Sequence, residues 1–276
     1  MAQMCHSRDR FVAAWTRLQG EGTLSVALRD ASGPVATLNG DVPHYAASTI
    51  KLAVLGAWLA SGRVNRRGLS PIVQDGTRLR VHADFASAAG GRFELLQADD
   101  QDDATWAALG SVVAAETLAA RMIQVSGNLA MNLLAEALGL DAVAAYVARL
   151  GLGGSIRMGR LIGDASAAAA GITNTVTAAG LATLLAVLAD DPGALETLAG
   201  QRHRNLIPAG LPAGTWTASK SGWVPGVRHD VALVRPQSGA EYVLSVCTSG
   251  LPDEEAEALI REVSRVTYEE WVQWHE

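Results

Sequence analysis

Hydrophobic and polar positions predict strands near both ends of the chain. TLSVALRD and GPVATLNG are two short β-prone runs joined by Asp-Ala-Ser-Gly, which predicts a hairpin that follows a helix over residues 8–18. After residue 211, three further strands are predicted by TWTASKSG, DVALVRP and EYVLSVCT. Residues 253–274 then predict a closing amphipathic helix with acidic residues in its first turn.

The middle of the chain predicts helices. Residues 46–60 read AASTIKLAVLGAWLA and are apolar on nearly every face, as expected of a helix buried inside a domain. Only Ser48, Thr49 and Lys51 interrupt this apolar run. Ala- and Leu-rich helical patterns follow over residues 114–150 and 178–189.

The order strand, helix, strand predicts a mixed α/β (α+β) fold. Residues 1–47 and 205–276 are expected to form a sheet domain built from both chain ends, and residues 48–204 an inserted helical domain. With 276 residues and 49% apolar content, the chain can bury a sizeable core, which excludes a disordered or fibrous protein.

Charge and N-terminal pattern narrow the expected partners. The net charge is −6, and no dense block of Lys and Arg occurs, so we expect neither nucleic acid nor a membrane as a partner. The N-terminal residues lack the apolar run of a signal peptide, and residues 165–189 are too rich in polar and turn residues to span a bilayer. These features predict a soluble, cytoplasmic protein.

The two cysteines, Cys5 and Cys247, stand far apart and outside any metal-binding spacing. Neither a disulfide framework nor a zinc site is indicated. We expect no metal and no cofactor.

Lysine is scarce in this chain, where 20 of the 22 basic residues are arginines and only Lys51 and Lys220 are lysines. A buried amine can give up its proton and act as a base, whereas a guanidinium stays protonated. Each of the two lysines is therefore a candidate for a position where an amine acts as a base.

Lys51 follows Ser48 by three residues, so on a helix both side chains lie on one face and the amine can reach the hydroxyl. This S-x-x-K spacing predicts a nucleophile and its base. The structural alternative is a helix start with Ser48 as cap and Lys51 extending to solvent.

Lys220 lies in SKSGW at the end of a predicted strand, where Lys-Ser-Gly offers a cation, a hydroxyl and room for a substrate along the backbone. Its alternative is an exposed lysine of an edge strand. In VSGNLAMNLL, Ser126 and Asn128 flank Gly127 and offer a hydroxyl and an amide, or simply a helix cap.

YAASTIKLAVL, VSGNLAMNLL and SKSGW together resemble the S-x-x-K, S-x-N and K-[ST]-G boxes of class A β-lactamases and penicillin-binding proteins. The three boxes occur in the family's order and use both lysines. The resemblance implies a β-lactamase/DD-peptidase-like fold, in which an antiparallel sheet flanked by terminal helices carries an inserted all-helical domain.

The resemblance also implies catalytic roles. Ser48 would be the acylated nucleophile, Lys51 its activating base and Ser126 the proton relay to the leaving group. Lys220 would keep the site electropositive beside Ser126. The family's oxyanion hole would be formed by the backbone N–H groups of Ser48 and Trp223.

Substrate-binding roles follow from the same resemblance. Asn128 would hold the substrate amide, and Ser221, followed by Gly222, would hydrogen-bond a substrate carboxylate. Arg228 resembles the arginine with which some class A enzymes bind an anionic substrate; its alternative is an ordinary strand arginine. The neighbouring His229 could tune pH dependence or pack within the strand.

One departure from the family concerns the deacylation step. The loop glutamate that activates the deacylating water in class A β-lactamases has no counterpart, since the matching stretch RMGRLIGDASAAAAGITNTV contains only one carboxylate, Asp164. Asp164 is either a substitute deacylation base or a loop-packing group paired with Arg157 or Arg160.

Other differences lie around the predicted site. Trp223 is larger than the residue usual after Lys-Ser-Gly, so it would narrow the pocket. Residues 75–108 are longer than the family's usual connection and carry the acidic run ADDQDD, which forms either a solvated loop or a lip over the cleft.

These features predict a serine hydrolase that forms a covalent acyl-serine with a small-molecule amide or ester, such as a β-lactam, peptide-like or ester substrate. A biosynthetic acyltransferase remains an alternative. A second class of function is a binding protein that is acylated by a β-lactam or other acyl compound and holds it without turnover.

Overall fold

The computed structural model describes residues 2–63, 78–237 and 240–275. Its contacts divide the chain into two compact units, one formed by Met1–Thr49 and Val176–Glu276, the other by Ile50–Thr175. The first unit therefore combines both chain ends, and the second is an insertion. The sequence pattern placed the second boundary at residue 204, whereas the contacts place it after Thr175.

The helices and strands follow one another in three groups along the chain. The N-terminal part of the first unit contains α1 (Ala2–Thr16), β1 (Thr23–Asp30), β2 (Gly33–Leu38), β3 (His44–Tyr45) and the 3-10 turn Ala47–Ile50. The second unit contains α2 (Lys51–Arg63), β4 (Arg78–Arg80), β5 (Asp84–Ala86), β6 (Arg92–Glu94), α3 (Asp103–Trp106), β7 (Val112–Ala114), α4 (Ala115–Gln124), α5 (Asn128–Leu138), α6 (Leu140–Arg149), β8 (Ile156–Arg157) and α7 (Ala165–Ala169). After β9 (Thr175–Val176), the C-terminal part contains α8 (Ala178–Ala189), α9 (Pro192–Ala199), the 3-10 turn Ile207–Gly210, β10 (Trp216–Val224), β11 (Val227–Arg235), β12 (Tyr242–Ser249) and α10 (Asp253–His275).

The first unit is built on a five-stranded antiparallel sheet with the order β10-β11-β12-β1-β2. The predicted N-terminal hairpin is β1–β2. Its turn is closed by Asp30, whose Oδ1 accepts hydrogen bonds from the amides of Ser32 and Gly33 at 2.7 and 3.1 Å. Gly33 has a φ of +128°, which favours glycine. The predicted mixed fold with an antiparallel sheet is confirmed.

One core of the first unit joins the terminal helices to the sheet. Phe11 and Trp15 of α1 and Trp271 of α10 are fully buried with residues of β1 and β12. The indole of Trp15 donates to Thr267 at 2.9 Å, and the indole of Trp271 donates to the Ala240 carbonyl at 2.9 Å. These bonds satisfy the polar ends of two large buried rings.

Helix α8 explains the position of the second unit boundary. It packs on β1, β11 and β12 of the sheet, and its Leu181, Leu184 and Leu185 are fully buried. An almost wholly apolar helix needs such burial. The local sequence does not indicate which surface covers it.

The second unit is helical around α2, which packs against α4, α5 and α6. The predicted helix over residues 46–60 begins as the 3-10 turn and continues as α2. At Gly56 a Cβ atom would stand 2.4 Å from the ring of Tyr146, so only glycine lets α6 approach α2 this closely.

Part of residues 75–108 lies outside the described residues. From Arg78 the segment contains β4, β5, β6 and α3.

Within residues 2–63, 78–237 and 240–275, no single helix is both long and apolar enough to cross a membrane. Two pairs of helices, α5 with α6 and α8 with α9, reach that length and composition only when taken together, and each pair is sharply bent.

Candidate active site

The predicted nucleophile, Ser48, lies in a strained turn of the first unit. Ala47, directly before it, has a φ of +44°, a left-handed conformation that costs a non-glycine residue roughly 1–3 kcal/mol. Thr49 fixes the turn because its Oγ1 and its amide both donate to the Ala46 carbonyl, at 2.6 and 3.2 Å. The turn leaves Ser48 half-buried.

Strand β10 passes this turn at Gly222 without room for a side chain. A Cβ atom at Gly222 would stand 2.8 Å from both the Ser48 and the Thr49 nitrogen. Glycine therefore lets the backbone of β10 approach the amides of Ser48 and Thr49. Within the first unit, the structure brings Ser48 and Gly222 together.

In the second unit, the structure brings Lys51, Ser126 and Asn128 together. Lys51 is fully buried at the start of α2. Its Nζ donates to the Ser126 carbonyl at 2.6 Å, to Asn128 Oδ1 at 2.7 Å and to Ser126 Oγ at 3.2 Å. The alternative of a lysine that extends to solvent is therefore wrong.

These contacts suit both protonation states of Lys51. The Ser126 carbonyl and Asn128 Oδ1 can only accept, so each needs an N–H from the amine. The Ser126 hydroxyl can accept or donate, so it can bond either to a third N–H or to the lone pair of a neutral amine. The same geometry therefore supports an amine that takes up and releases a proton.

Backbone strain recurs at the second hydroxyl. Ser126 has a φ of +60°, again the left-handed region. The amide of Gly127 donates to the Arg121 carbonyl at 3.2 Å, and Lys51 donates to the Ser126 carbonyl. Contacts on both sides thus keep this residue in its unfavourable conformation.

Asp100, which the sequence pattern did not identify, caps the helix that carries Asn128. Its Oδ1 accepts from the Asn128 amide at 2.7 Å, and its Oδ2 accepts from the Leu129 amide at 2.8 Å and the Trp106 indole at 2.9 Å. A carboxylate at a helix start satisfies free amides and complements the helix dipole. Asp100 lies in the acidic run ADDQDD, which was visible in the sequence. A charged run alone, however, indicates only a solvated loop.

We expect Asp100→Asn to lower the free energy of unfolding by about 1–3 kcal/mol, because an amide has one acceptor oxygen where the carboxylate has two. Denaturant unfolding measures the loss. Asp99→Asn is the matched control, since Asp99 is exposed and contacts Asn128 through its backbone carbonyl, which accepts from Asn128 Nδ2 at 2.7 Å. Equal stability of the two variants would contradict the capping role.

Asn132 fixes a loop on the same face of α5. It lies four residues after Asn128, its Nδ2 donates to the Ile162 carbonyl at 2.8 Å, and its Oδ1 accepts from the Ile162 amide at 3.0 Å. The residue of the β8–α7 loop that α5 holds is therefore Ile162. Its side chain has no titratable group, so it cannot act as a base. Asn132 was visible in VSGNLAMNLL as an asparagine one turn after Asn128.

The geometry does not favour Asp164 as the deacylation base. Its side chain is fully buried and accepts from the amides of Ala88 and Ala167 and from the hydroxyls of Ser87 and Ser166, all at 2.9–3.0 Å. Burial alone would raise the pKa of Asp164, but these bonds together hold the pKa below its ordinary value. A carboxylate that accepts these four hydrogen bonds is a weak base. The contacts fit the loop-packing alternative. The partners that the structure shows are backbone amides and serine hydroxyls.

We expect Asp164→Asn to leave deacylation unchanged and to lower the free energy of unfolding at neutral pH by about 1–3 kcal/mol. Because the folded-state pKa lies below the ordinary value of 3.8, the carboxylate stabilises the fold above that value and stops doing so as the pH falls through the folded-state pKa. The stability difference between wild type and variant should therefore shrink in acid. A loss of deacylation with intact stability would contradict this role.

Lys220 and Ser221 lie on β10 and are fully buried. Lys220 Nζ donates to the Ser221 carbonyl at 2.7 Å. Burial lowers the pKa of Lys220 and raises the pKa of Asp230, and the charge of each residue partly offsets the pKa shift of the other.

The Ser221 hydroxyl has no hydrogen-bond partner within the described parts of the chain. Asp230, opposite Ser221 on β11, carried no signal in the sequence pattern.

The geometry does not favour Arg228 as a group free to bind an anionic substrate. Its guanidinium lies 2.9 Å from Asp253 and 3.5 Å from Glu257, both on α10. Trp223 lies opposite Arg228 in the β10–β11 ladder, and its ring meets that of His203 edge-on at 4.8 Å.

His229 packs within the first unit, as one of its two interpretations predicted. It is fully buried, and its Nε2 lies 2.8 Å from the carbonyl oxygen of Tyr45, three residues before Ser48. Its Nδ1 lies 2.6 Å from the Arg228 carbonyl oxygen and 3.2 Å from the Thr248 amide, so both ring nitrogens have partners. Burial lowers the pKa of His229, which keeps the imidazole neutral at physiological pH.

Comparison with known proteins identifies the family and the fold. The model of the β-lactamase enzyme family matches residues 9–271. Among solved structures, an ancestral class A β-lactamase has 26% identity and a TM-score of 0.74, covering 95% of this chain and 99% of its own. PBP-A has 23% identity and a TM-score of 0.75, covering 96% of each chain.

A β-lactamase from Xanthomonas campestris has 20% identity and a TM-score of 0.77, covering 95% of this chain and 98% of its own, which supports the fold. A search of curated protein sequences found no match. Because the family match spans nearly the whole sequence, the predicted family is confirmed. The chain belongs to the β-lactamase enzyme family and is a serine β-lactamase-like hydrolase.

Proposed function

We propose that this protein cleaves an amide or ester by forming a covalent acyl intermediate on Ser48. One observation carries the proposal: the only lysine of α2 is buried with its Nζ within 2.6–3.2 Å of Ser126 and Asn128. A buried amine in such a setting can work as a general base.

In the acylation step, Ser48 Oγ attacks the substrate carbonyl carbon while its proton passes to the neutral amine of Lys51. The carbonyl oxygen gains the negative charge, which the amides of Ser48 and Trp223 would stabilise. When the carbon–leaving group bond breaks, the Lys51 ammonium returns a proton through the Ser126 hydroxyl to the leaving group. The products are an acyl-serine, a free amine or alcohol, and a neutral Lys51.

Other residues position the substrate in this proposal. Asn128 already binds Lys51 through Oδ1 and the Asp99 carbonyl through Nδ2, so one amide N–H of Asn128 is left for a substrate carbonyl. The Ser221 hydroxyl can bond a second polar group, and Gly222 lets β10 lie close to the amides of Ser48 and Thr49.

Slow release of the acyl group is expected after this step. The loop residue beside α5 is Ile162, and Asp164 is engaged by four hydrogen bonds, so neither is suited to activate water. A missing general base typically slows a step by about 10²–10⁴-fold. This observation also favours a second candidate, an acyltransferase or acyl-holding protein, in which water is not the natural acceptor.

Intact mass spectrometry after exposure to penicillin G, a p-nitrophenyl ester and a D-amino acid amide tests the proposal. We expect an adduct with at least one compound, mapped to Ser48 and lost in Ser48→Ala. A label on Ser126, or undiminished turnover by Ser48→Ala, would overturn it. A stoichiometric burst that then stops would identify an acyl-holding protein, whereas steady product release identifies a hydrolase.

A further inference from the structure

The chain that leads into the turn of Ser48 contacts one face of the five-stranded sheet. One row of cross-strand partners on that face takes one residue from each of four neighbouring strands: Ser25 of β1, Cys247 of β12, His229 of β11 and Gly222 of β10. Opposite residues of antiparallel strands project from the same face of the sheet. Residues 44–49 meet this row first at β1, then at β11 and last at β10.

His44 makes the first contact. Its Nε2 lies 2.8 Å from Ser25 Oγ, and its Nδ1 lies 2.7 Å from Ser249 Oγ. One hydroxyl can donate to the bare ring nitrogen while the other accepts from the N–H, so a neutral imidazole satisfies both serines. Burial, together with the nearby His229, lowers the pKa of His44 to about 4, so the ring is neutral at physiological pH. His44 therefore fixes the chain four residues before Ser48.

His229 makes the second contact, three residues before the nucleophile. Its Nε2 lies 2.8 Å from the carbonyl oxygen of Tyr45, and its ring meets the ring of His44 edge-on at 5.3 Å. Its partner in the β10–β11 ladder is Gly222, where a Cβ atom would stand 2.8 Å from the Ser48 nitrogen. One imidazole thus contacts the chain that enters the turn and neighbours the glycine that passes it.

The proton on His229 decides whether the ring can hold this chain. Burial lowers the pKa of His229, so the neutral ring has one proton for two carbonyl oxygens, that of Tyr45 near Nε2 and that of Arg228 at 2.6 Å from Nδ1. The Thr248 amide, 3.2 Å from Nδ1, can only donate, which favours a bare Nδ1 and a proton on Nε2. In this tautomer the Tyr45 carbonyl accepts a hydrogen bond from the ring.

We propose that His229 is a positioning residue for acylation, which donates from Nε2 to the Tyr45 carbonyl and so fixes the turn that carries Ser48. The inference rests on the proposed function and adds a residue to it. The turn needs such a contact because Ala47 has a φ of +44° and would otherwise relax. Since a misplacement of about 1 Å can slow a reaction by about a hundredfold, the position of Ser48 controls the rate.

His229→Met and His229→Gln form a matched pair, because the two new side chains have nearly the same length but only glutamine offers an N–H to the Tyr45 carbonyl. Acylation of Ser48 by a p-nitrophenyl ester is followed by quenched-flow mass spectrometry over a range of ester concentrations. We expect the limiting rate to fall at least about tenfold in His229→Met and to stay within about threefold of wild type in His229→Gln. The half-saturating concentration should change in neither variant, because the substitutions alter no substrate-binding side chain.

Thr267→Val controls for a purely structural effect. Thr267 is fully buried and accepts from the Trp15 indole at 2.9 Å, so this substitution also leaves a buried polar group without its partner. It should lower the unfolding midpoint and leave the limiting acylation rate unchanged. Rates are compared per labelled chain, so that unfolded protein does not count. A folded His229→Met with the wild-type limiting rate, or a His229→Gln as slow as His229→Met, would overturn the inference.

A measurement on the wild type locates the proton and needs neither a variant nor an adduct. Long-range ¹H–¹⁵N correlation spectra distinguish the protonated ring nitrogen of a histidine, and through-bond correlations from the backbone assign the ring to His229. We expect the proton on Nε2 at neutral pH. A proton on Nδ1 would overturn this inference alone, whereas the absence of any acyl adduct on Ser48 in the wild type would overturn the proposed function and the inference with it.

Discussion

Lys51→Arg should abolish acylation of Ser48 as completely as Lys51→Ala does. A guanidinium keeps the positive charge but cannot accept the serine proton at any accessible pH. Loss of a general base typically costs about 10²–10⁴ in rate. The acylation rate constant, measured by mass spectrometry with an activated ester, should therefore fall at least a hundredfold in both variants.

The controls for this prediction address the fold. Lys51 is fully buried and bonds the strained Ser126, so a larger side chain could disturb the second unit. Circular dichroism and the unfolding midpoint show whether each variant is folded. A folded Lys51→Arg that is acylated at the wild-type rate would show that Lys51 acts only as a charge.

Ile162→Glu should shorten the lifetime of the acyl-enzyme by about a hundredfold, the lower range expected for adding a general base. Asn132 holds Ile162 on the face of α5 that also carries Asn128, and Asn128 bonds Lys51. Under the proposed function, this carboxylate would take a proton from the water that attacks the acyl carbon. The decay of the adduct after removal of free penicillin G measures the rate.

Ile162→Gln is the matched control because glutamine has nearly the same shape as glutamate but is not a base. Deacylation should stay slow in this variant, and the gain in Ile162→Glu should disappear as the pH falls and the new carboxylate is protonated. Equal deacylation rates for the two variants would contradict the expectation that a carboxylate at position 162 acts as the deacylation base.

Local sequence patterns predicted most of the secondary structure. Alternating apolar runs and turn residues identified β1, β2, β10, β11 and β12, and the apolar character of residues 46–60 identified the buried helix. The family of the protein followed from three short boxes, and a family match over residues 9–271 confirms it.

Contacts between distant parts of the sequence could not be predicted in the same way. Asp100 caps a helix that begins 28 residues later, and Arg228 meets carboxylates on α10, so neither partner shows in the local sequence. Asp164 was recognised as an isolated carboxylate, but its strength as a base depends on Ser87 and Ala88. Hydrogen bonding and charge compensation decide these roles, and both depend on the folded chain.

The close approach of Gly127 to Asp102 couples substitutions at these two positions. A Cβ atom at Gly127 would stand 2.9 Å from the Cβ atom of Asp102, and Asp102 is itself fixed because it caps α3 through the Thr105 amide. A side chain at position 127 therefore requires Asp102 or the backbone beside it to shift. We expect the free-energy costs of substitutions at positions 127 and 102 to be non-additive, so that a larger residue at one position is tolerated best with a smaller one at the other.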